Sequence, residues 1–245
     1  MKCRLCGLSK KLVESHIIPD NMNRVLRSVL GDDANSAILK IDKHTGKTKR
    51  YPKGPYDKGI LCQACDGSFS PWETHALQVL FTKHAYTSLI FDSRNRPYCY
   101  TMQGVDYVQL KLCILSIVWR ASISSNLFFR NVDLDTATND AIKARLLAKN
   151  PGLATEFAVR IAQYHSIDIP LVEFEPREEI IDGIHYVVLY LPGYKILMQV
   201  DQRPLPAHHG AILAPGKPVI IWLLNYGTSA ERRAVVKMAK KLSEA

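Results

Sequence analysis

The sequence predicts an α+β fold, with a small cysteine-bearing module ahead of a larger domain of helices packed on an antiparallel sheet. Three observations predict it. Two Cys-x-x-Cys pairs lie within the first 65 residues, at Cys3/Cys6 and Cys62/Cys65. Residues 107–122 are apolar on most sides of a helix, as in a core helix. From residue 156 onward, β-rich stretches alternate with Pro and Gly. We place the domains at 1–90 and 91–245.

The two cysteine pairs predict a zinc site. Each pair can present both sulfurs to one metal, and four thiolates complete a tetrahedral coordination sphere. Residues after Met1 lack the apolar core of a secretory signal, and a cytoplasmic chain keeps its thiols reduced. We therefore expect a cytoplasmic protein with a structural Zn²⁺ ion on Cys3, Cys6, Cys62 and Cys65. Redox-active or unrelated thiols are the alternative, because 55 residues separate the pairs.

Residues 10–18 (KKLVESHII) read as a strand that Pro19 ends. Alternation places Glu14, His16 and Ile18 on one face. Zinc held by four thiolates has no open position for a substrate, so any chemistry must come from a side chain that the zinc holds in place. His16, between the two cysteine pairs, is the candidate. A hydrogen-bonded core histidine is the alternative.

A short helix over residues 21–30 and a basic segment follow. Strands at 38–41 and 48–51 are predicted to form a hairpin around a turn at 44–47. The segment 40–58 contains seven Lys and Arg residues against two Asp. A phosphate-contacting arm and a solvated loop are both compatible with this charge. The candidate phosphate contacts are Lys47, Lys49, Arg50 and Lys53.

The next helix has a clear start signal. Ser70, Pro71 and Glu73 fit a capping box with proline in the first helical position, and the helix is predicted to reach about residue 86. In a capping box the Glu73 carboxylate bonds the Ser70 amide. His75 could face either a site or the solvent.

Charge and hydropathy restrict the partners. The formal net charge is +9 and the isoelectric point is near 9.2, which favours an anionic partner, with nucleic acid first. No apolar run reaches the roughly 20 residues that a membrane span requires, so no membrane is expected.

The N-terminal third carries a resemblance. Cys-x-x-Cys, a strand ending in Ser-His-Ile-Ile-Pro, and Leu-Cys-x-x-Cys-Asp opening into a helix are together similar to the zinc-stapled branch of the HNH endonucleases. The similarity covers about residues 1–80 and implies the ββα-metal fold. The Ser-His-Ile-Ile-Pro sequence also resembles that of a group of bacterial proteins with this HNH-like start and a long C-terminal region.

The resemblance implies a role for each matching residue. His16 takes the position of the general base that activates water. Ser15 and Asp66 take the two positions that bind a catalytic divalent ion, commonly Mg²⁺, with Mn²⁺ as an alternative. Glu14, Glu73 or His75 could complete that metal sphere, and Asp57 could orient the loop before the second cysteine pair. The implied activity is hydrolysis of nucleic-acid phosphodiester bonds, with DNA favoured.

Two departures from the family pattern keep a second class of function open. Ser15 stands where the family has aspartate or histidine, and 58–60 (Lys-Gly-Ile) replaces the family's asparagine. A non-catalytic adaptor that uses the zinc module as a scaffold to bind nucleic acid or protein is therefore the alternative.

The C-terminal part is predicted from apolar and β-rich patterns. Helices are expected at 107–122 and 135–149, with a basic helix at 229–243. Strands are expected at 156–164, 184–191, 195–201 and 218–224, with a hairpin turn at 191–194. Arg120 reads as a buried ion-pair partner, a phosphate contact or a helix-end cation. This domain would serve targeting, a partner protein or homodimer formation.

Overall fold

The computed structural model describes residues 1–29, 38–41, 48–51, 54–82, 86–165, 174–206 and 210–243. It confirms the α+β class: helices pack on a sheet of seven strands. The helices are α1 (Asp20–Val29), α2 (Gln63–Gly67), α3 (Ser70–Leu77), α4 (Tyr107–Ser122), α5 (Thr136–Ala148) and α6 (Ala230–Ser243). The strands are β1 (Ser15–His16), β2 (Ile38–Ile41), β3 (Thr48–Tyr51), β4 (Tyr56–Asp57), β5 (Tyr86–Phe91), β6 (Pro97–Met102), β7 (Val159–Tyr164), β8 (Arg177–Ile181), β9 (Ile184–Leu191), β10 (Tyr194–Gln199) and β11 (Val219–Leu224).

The large sheet has the order β5-β6-β11-β7-β10-β9-β8. Its pairs are antiparallel except β11–β7, which is parallel, with Ile221 opposite Ile161. The sequence predicts an antiparallel sheet, which holds for every pair but this one. The chain leaves β10 at residue 199 and returns at 219, so β11 enters between β6 and β7 rather than beside β10. Residue patterns along a strand do not record such a return.

Helix α4 is the centre of the core. Asp106 caps it by accepting a 3.1 Å bond from the Gln109 amide, and every residue from 110 to 121 is buried. The buried polar group Lys111 donates from Nζ to the Leu153 and Glu156 carbonyls at 2.7 and 2.6 Å. Burial lowers the pKa of Lys111 to about 8. Helix α4 therefore fixes the loop after α5 as well as the sheet.

One hydrophobic cluster joins both parts of the chain. It runs from Cys3 and Ile17 through Trp72 and α4 to Ile221 in β11. The domain boundary predicted at residue 91 lies at the end of β5, and residues 92–96 form the turn of the β5–β6 hairpin. The cysteine-bearing part is thus packed directly on α4, whose contacts with α3 are extensive.

The start of α3 differs from the predicted capping box. The N-cap residue is Phe69, without a side-chain cap, and Ser70 already lies inside the helix with Pro71 beside it. Glu73 instead forms an ion pair with Arg120, with 2.7 Å between Oε1 and Nη2. A buried cation attracts the carboxylate more strongly than the exposed amide of a helix end, so the box does not form. The chain continues as a π-helical turn over Gln78–Thr82.

Within the described residues, no helix combines the length and the apolar character needed to cross a bilayer.

Candidate metal centre and the adjoining histidine strand

Four sulfur atoms meet at one point of the N-terminal part. The Sγ atoms of Cys3, Cys6, Cys62 and Cys65 all lie within 4.8 Å of one another. Ligands about 2.3 Å from a tetrahedral zinc lie about 3.8 Å apart, so this spacing suits a Zn²⁺ ion. The donors also fit, because thiolates are the soft ligands that zinc prefers in structural sites. The four cysteines can therefore bind a metal such as zinc, as the sequence predicts.

Tight turns and backbone hydrogen bonds between the two segments bring the two cysteine pairs together. Gly7, with a left-handed φ of 74°, donates its amide to the Cys3 carbonyl at 2.9 Å and closes the first turn. The Arg4 amide donates to the Ile60 carbonyl at 2.8 Å. The Cys62 amide points at Cys3 Sγ at 3.4 Å. Backbone bonds thus align the pairs despite the long separation in sequence.

The surroundings of the sulfurs affect their protonation differently. Burial raises the pKa of the Cys3 thiol, but amides of Cys6, Cys62 and Leu5 aimed at its sulfur outweigh burial and lower the pKa to about 7. Burial and the neighbouring thiols raise the pKa of Cys65. The thiolate form of Cys3 is therefore favoured, as metal ligation requires. Cys99 and Cys113 are buried outside this cluster, as predicted.

The strand predicted at 10–18 is much shorter in the structure: only Ser15–His16 forms a ladder, and Leu12 makes an isolated bridge with Cys62. β1 pairs antiparallel with β4, with Ser15 opposite Asp57 and His16 opposite Tyr56. Before it, the Val13 amide donates to the Leu61 carbonyl at 2.9 Å. These bonds connect the histidine strand to the segment that leads into the second cysteine pair.

Ser15 and Asp66 meet at the end of this strand. Ser15 is fully buried, and its Oγ donates to Asp66 Oδ1 at 2.5 Å. Asp66 lies on α2, where Cys62 is the N-cap residue, so its position follows from that of the cysteine pair. The two residues that the sequence predicts to bind the catalytic ion are therefore in direct contact, although they are far apart in sequence.

His16 follows Ser15 and is half-buried, with its ring edge-on to Tyr56 at a centroid distance of 6.1 Å. Its carbonyl oxygen accepts a 2.6 Å bond from Arg120 Nη1. His16 is thus partly exposed as a residue, its Nε2 atom is buried, and its backbone is fixed from α4.

The other acidic and histidine candidates are engaged elsewhere. Glu14 forms an exposed ion pair with Lys58 at 2.8 Å, and Glu73 binds Arg120. His75 Nε2 accepts a bond from the Asp106 amide at 3.2 Å, and burial lowers the pKa of His75. In this arrangement Glu73 and His75 bond α4 and its N-cap residue, and Glu14 bonds Lys58, rather than joining Asp66.

Asp57 has the loop-orienting position that the sequence suggests. Its Oδ1 accepts a 2.7 Å bond from the Gly59 amide, and its Oδ2 accepts bonds from Ser124 and Ser125. Burial alone raises the pKa of Asp57, but these hydrogen bonds outweigh it and lower the pKa. Asp57 therefore remains charged and connects β4 to the loop after α4.

The basic segment is described in part. β2 and β3 pair antiparallel with Lys40 opposite Lys49 and Leu39 opposite Arg50, which confirms the predicted hairpin strands. Lys47, Lys53 and the turn lie outside the described residues. A phosphate-binding role for this segment stays a prediction.

Two contributions from the second part complete the site. Of the three interpretations of Arg120, the structure shows the buried ion-pair partner. The loop at 124–126, whose polar side chains bind β4, has no counterpart among the sequence predictions. The available signal was Ser-Ser-Asn directly after a fully apolar helix, where polar side chains often bond to backbone.

Among the described residues, no further group of three or more Cys, His, Asp or Glu side chains gathers as the four cysteines do. Comparison of the chain with protein-family models, with curated proteins and with solved structures returns no match.

Proposed function

We propose that this protein is a metal-dependent endonuclease that hydrolyses phosphodiester bonds in nucleic acid, with DNA favoured as substrate. The observation that carries the proposal is the 2.5 Å contact between Ser15 and Asp66 beside His16. Ser15 and Asp66 are in contact, and His16 follows Ser15 directly in the chain, which is the order expected of an HNH site. The net charge of +9 is compatible with a polyanionic substrate.

His16 is the proposed general base. Imidazole has an ordinary pKa close to neutral pH, so it can take a proton from water without a large perturbation. The residue is half-buried and its Nε2 atom is enclosed by the protein, so catalysis would need the ring to become accessible to water and a substrate phosphate. The bond from Arg120 to the His16 carbonyl fixes the strand, so the ring is presented from a rigid backbone.

Asp66 is the proposed protein ligand of a catalytic Mg²⁺ or Mn²⁺ ion. Carboxylate oxygen suits both ions, and Mg²⁺ commonly binds through one or two carboxylates together with water and substrate phosphate. When bound, such an ion neutralises charge on the phosphate and on the leaving oxygen. Ser15 would contribute a hydroxyl oxygen and hold the Asp66 carboxylate in position.

The four cysteines have a structural part in this proposal. A zinc ion on four thiolates has no open position, so it supports the site and does not react. It joins the turn before the histidine strand to α2, which carries Asp66. The proposed ligands are Cys3, Cys6, Cys62 and Cys65.

Cleavage of supercoiled plasmid with Mg²⁺ or Mn²⁺ tests the proposal. His16→Ala and Asp66→Asn should each abolish cleavage while zinc content, folding and DNA binding are retained. His75→Ala is the matched control, because His75 bonds the Asp106 amide, and it should cleave as the wild type does. Structured RNA in a parallel assay separates the two substrates.

A non-catalytic adaptor is the second candidate, and one observation favours it. The first ligand position holds Ser15, which is neutral. Its hydroxyl already bonds Asp66, the carboxylate at the second position. In an adaptor, this bond would be a structural substitute for a metal. Failure of the wild type to cut DNA or RNA with any divalent ion, together with tight binding to either, would establish that function.

A further inference from the structure

The buried guanidinium of Arg120 contacts both elements that carry the proposed chemistry. Its side chain is 2% exposed, and it reaches out of the last turn of α4. Nη1 donates to the His16 carbonyl at 2.6 Å, and Nη2 donates to Glu73 on α3 at 2.7 Å. The carbonyl and hydroxyl of Ser116 accept further bonds, and the Phe69 ring lies 5.0 Å away.

The two ends of this bridge determine the geometry of the site. His16 is the last residue of β1, and α3 follows α2, the helix of Asp66, after a short turn through Phe69. One planar group therefore fixes the histidine strand against the helical segment that positions Asp66. A rigid fork with several donors maintains such a spacing better than a single flexible cation does.

The loop after α4 supports the opposite strand in the same way. Ser124 Oγ, the Ser125 amide and Ser125 Oγ donate to Asp57 Oδ2 at 3.0, 2.7 and 2.9 Å. Asn126 Nδ2 donates to the Tyr56 carbonyl at 3.1 Å, and Tyr56 is the partner of His16 in the ladder. Both strands of the histidine ladder are thus bonded to one segment, residues 120–126.

We propose that Arg120 is a positioning residue of the nuclease site and that residues 120–126 make the C-terminal part a structural half of that site. Arg120 sets the spacing between His16 and Asp66 without contacting substrate. This inference rests on the proposed function. The inference also extends the proposed function, because it gives the C-terminal part of the chain a role in the chemistry rather than in targeting alone.

Arg120→Lys and Glu73→Gln form the test pair. Lysine keeps a cation but cannot reach both partners with separate arms, so the spacing is released. Glutamine keeps an acceptor oxygen for Arg120, and the bond to His16 survives. For Arg120→Lys we expect kcat for plasmid cleavage to fall about 10-fold or more, because small misplacements are costly, with KM nearly unchanged. Glu73→Gln weakens only the α3 end of the bridge, so it should lower kcat less than Arg120→Lys does.

A second measurement does not need turnover. Mn²⁺ added to ¹⁵N-labelled protein should broaden the amide signals of both Asp66 and His16 in the wild type and in Glu73→Gln. In Arg120→Lys the Asp66 signal should still broaden and the His16 signal should broaden less. Should Arg120→Lys lose zinc or fail to fold, Asp57→Asn loosens the ladder at its other strand and takes its place in both measurements.

The outcomes separate the two proposals. If the wild type cleaves nothing, the proposed nuclease function is wrong. The Mn²⁺ broadening then tests only whether Arg120 sets the spacing between His16 and Asp66. Equal kcat in wild type and Arg120→Lys, an equal loss in Glu73→Gln, or unchanged relative broadening of His16 each overturns the positioning role.

Discussion

The two parts of this molecule are held together by different forces. In residues 1–29 and 54–82 the ordered strands are only two residues long, and the conformation depends on four sulfurs and on polar bonds from residues 120–126. From residue 86 onward, seven strands and α4 bury a continuous apolar core. Both parts share one apolar cluster, so we expect a bound metal to add stability to the first part, whereas the second relies on its larger core.

Removing one thiolate should unfold residues 1–29 and 54–82 while the large sheet stays folded. This is the largest effect we expect. Cys62→Ser should lose stoichiometric zinc, because three thiolates do not complete the site. Hydrogen exchange should show lost protection in β1, β4 and α2, while β9 and β10 keep theirs. Cys99→Ser, a buried cysteine outside the cluster, is the control and should retain its zinc. Unchanged protection of β1 in zinc-free Cys62→Ser would contradict this distinction.

The sheet has one polar anchor of its own, at the start of α6. Buried Glu231 accepts bonds from Tyr190 at 2.8 Å and from Lys195 at 3.0 Å. Burial raises the pKa of Glu231, but these bonds outweigh it and lower the pKa to about 2. The carboxylate therefore adds stability above its ordinary pKa of about 4.5, and that stability is lost as the pH falls toward 2.

Glu231→Gln should lower the free energy of unfolding by about 3 kcal/mol at pH 7. Urea unfolding at several pH values should show the deficit shrinking below pH 4.5. The exposed acid in Glu14→Gln is the matched control and should cost less than about 1 kcal/mol. A Glu231→Gln deficit that does not depend on pH would mean that the charge is not what anchors α6.

Asp57→Asn sharpens the comparison at the contact between the two parts. Asparagine keeps a single acceptor oxygen, so either the Gly59 amide or the three donors of Ser124 and Ser125 lose their partner. We expect the free energy of unfolding to fall by about 2 kcal/mol, with zinc content retained. Thermal unfolding and metal analysis measure both. If Asp57→Asn leaves the free energy of unfolding unchanged, the loop after α4 does not hold β4.

The smallest structural effect should come from the basic hairpin. Lys49→Glu and Arg50→Glu should change stability by less than about 0.5 kcal/mol, because surface substitutions usually do. Both should weaken DNA binding and reduce the slope of log K against log salt by about 1 per cation removed. Arg94→Glu, in the β5–β6 turn, is the control and should leave the slope unchanged. If all three variants weaken DNA binding equally, the hairpin contributes only its charge and is not a specific phosphate contact.

Local signals in the sequence account for most of the fold. Helix α4 is predicted at 107–122 and occurs there, because Asp106 is an N-cap residue and the apolar run is continuous. Strand β9 is likewise predicted at its observed bounds. The strands β5, β6 and β8 are not predicted. β8 (REEII) is polar and lies at the sheet edge, so it lacks the alternation of a buried strand.

The candidate site was predictable where spacing carries the signal and not where the chain folds back. Two Cys-x-x-Cys pairs predict that four thiols share one metal site, and the structure brings these thiols together. The partner of Glu73 lies 47 residues away on another helix, so the capping box was the simpler local interpretation. Contacts of this kind depend on how α4 packs, which a single sequence does not encode in any short pattern.

Plasmid cleavage with Mn²⁺, run on zinc-analysed wild type and His16→Ala side by side, tests the central claim most directly. The account predicts about one zinc per chain in both proteins, with cleavage by the wild type and none by the variant. Equal cleavage by the two proteins, or a folded wild type without zinc, would contradict it.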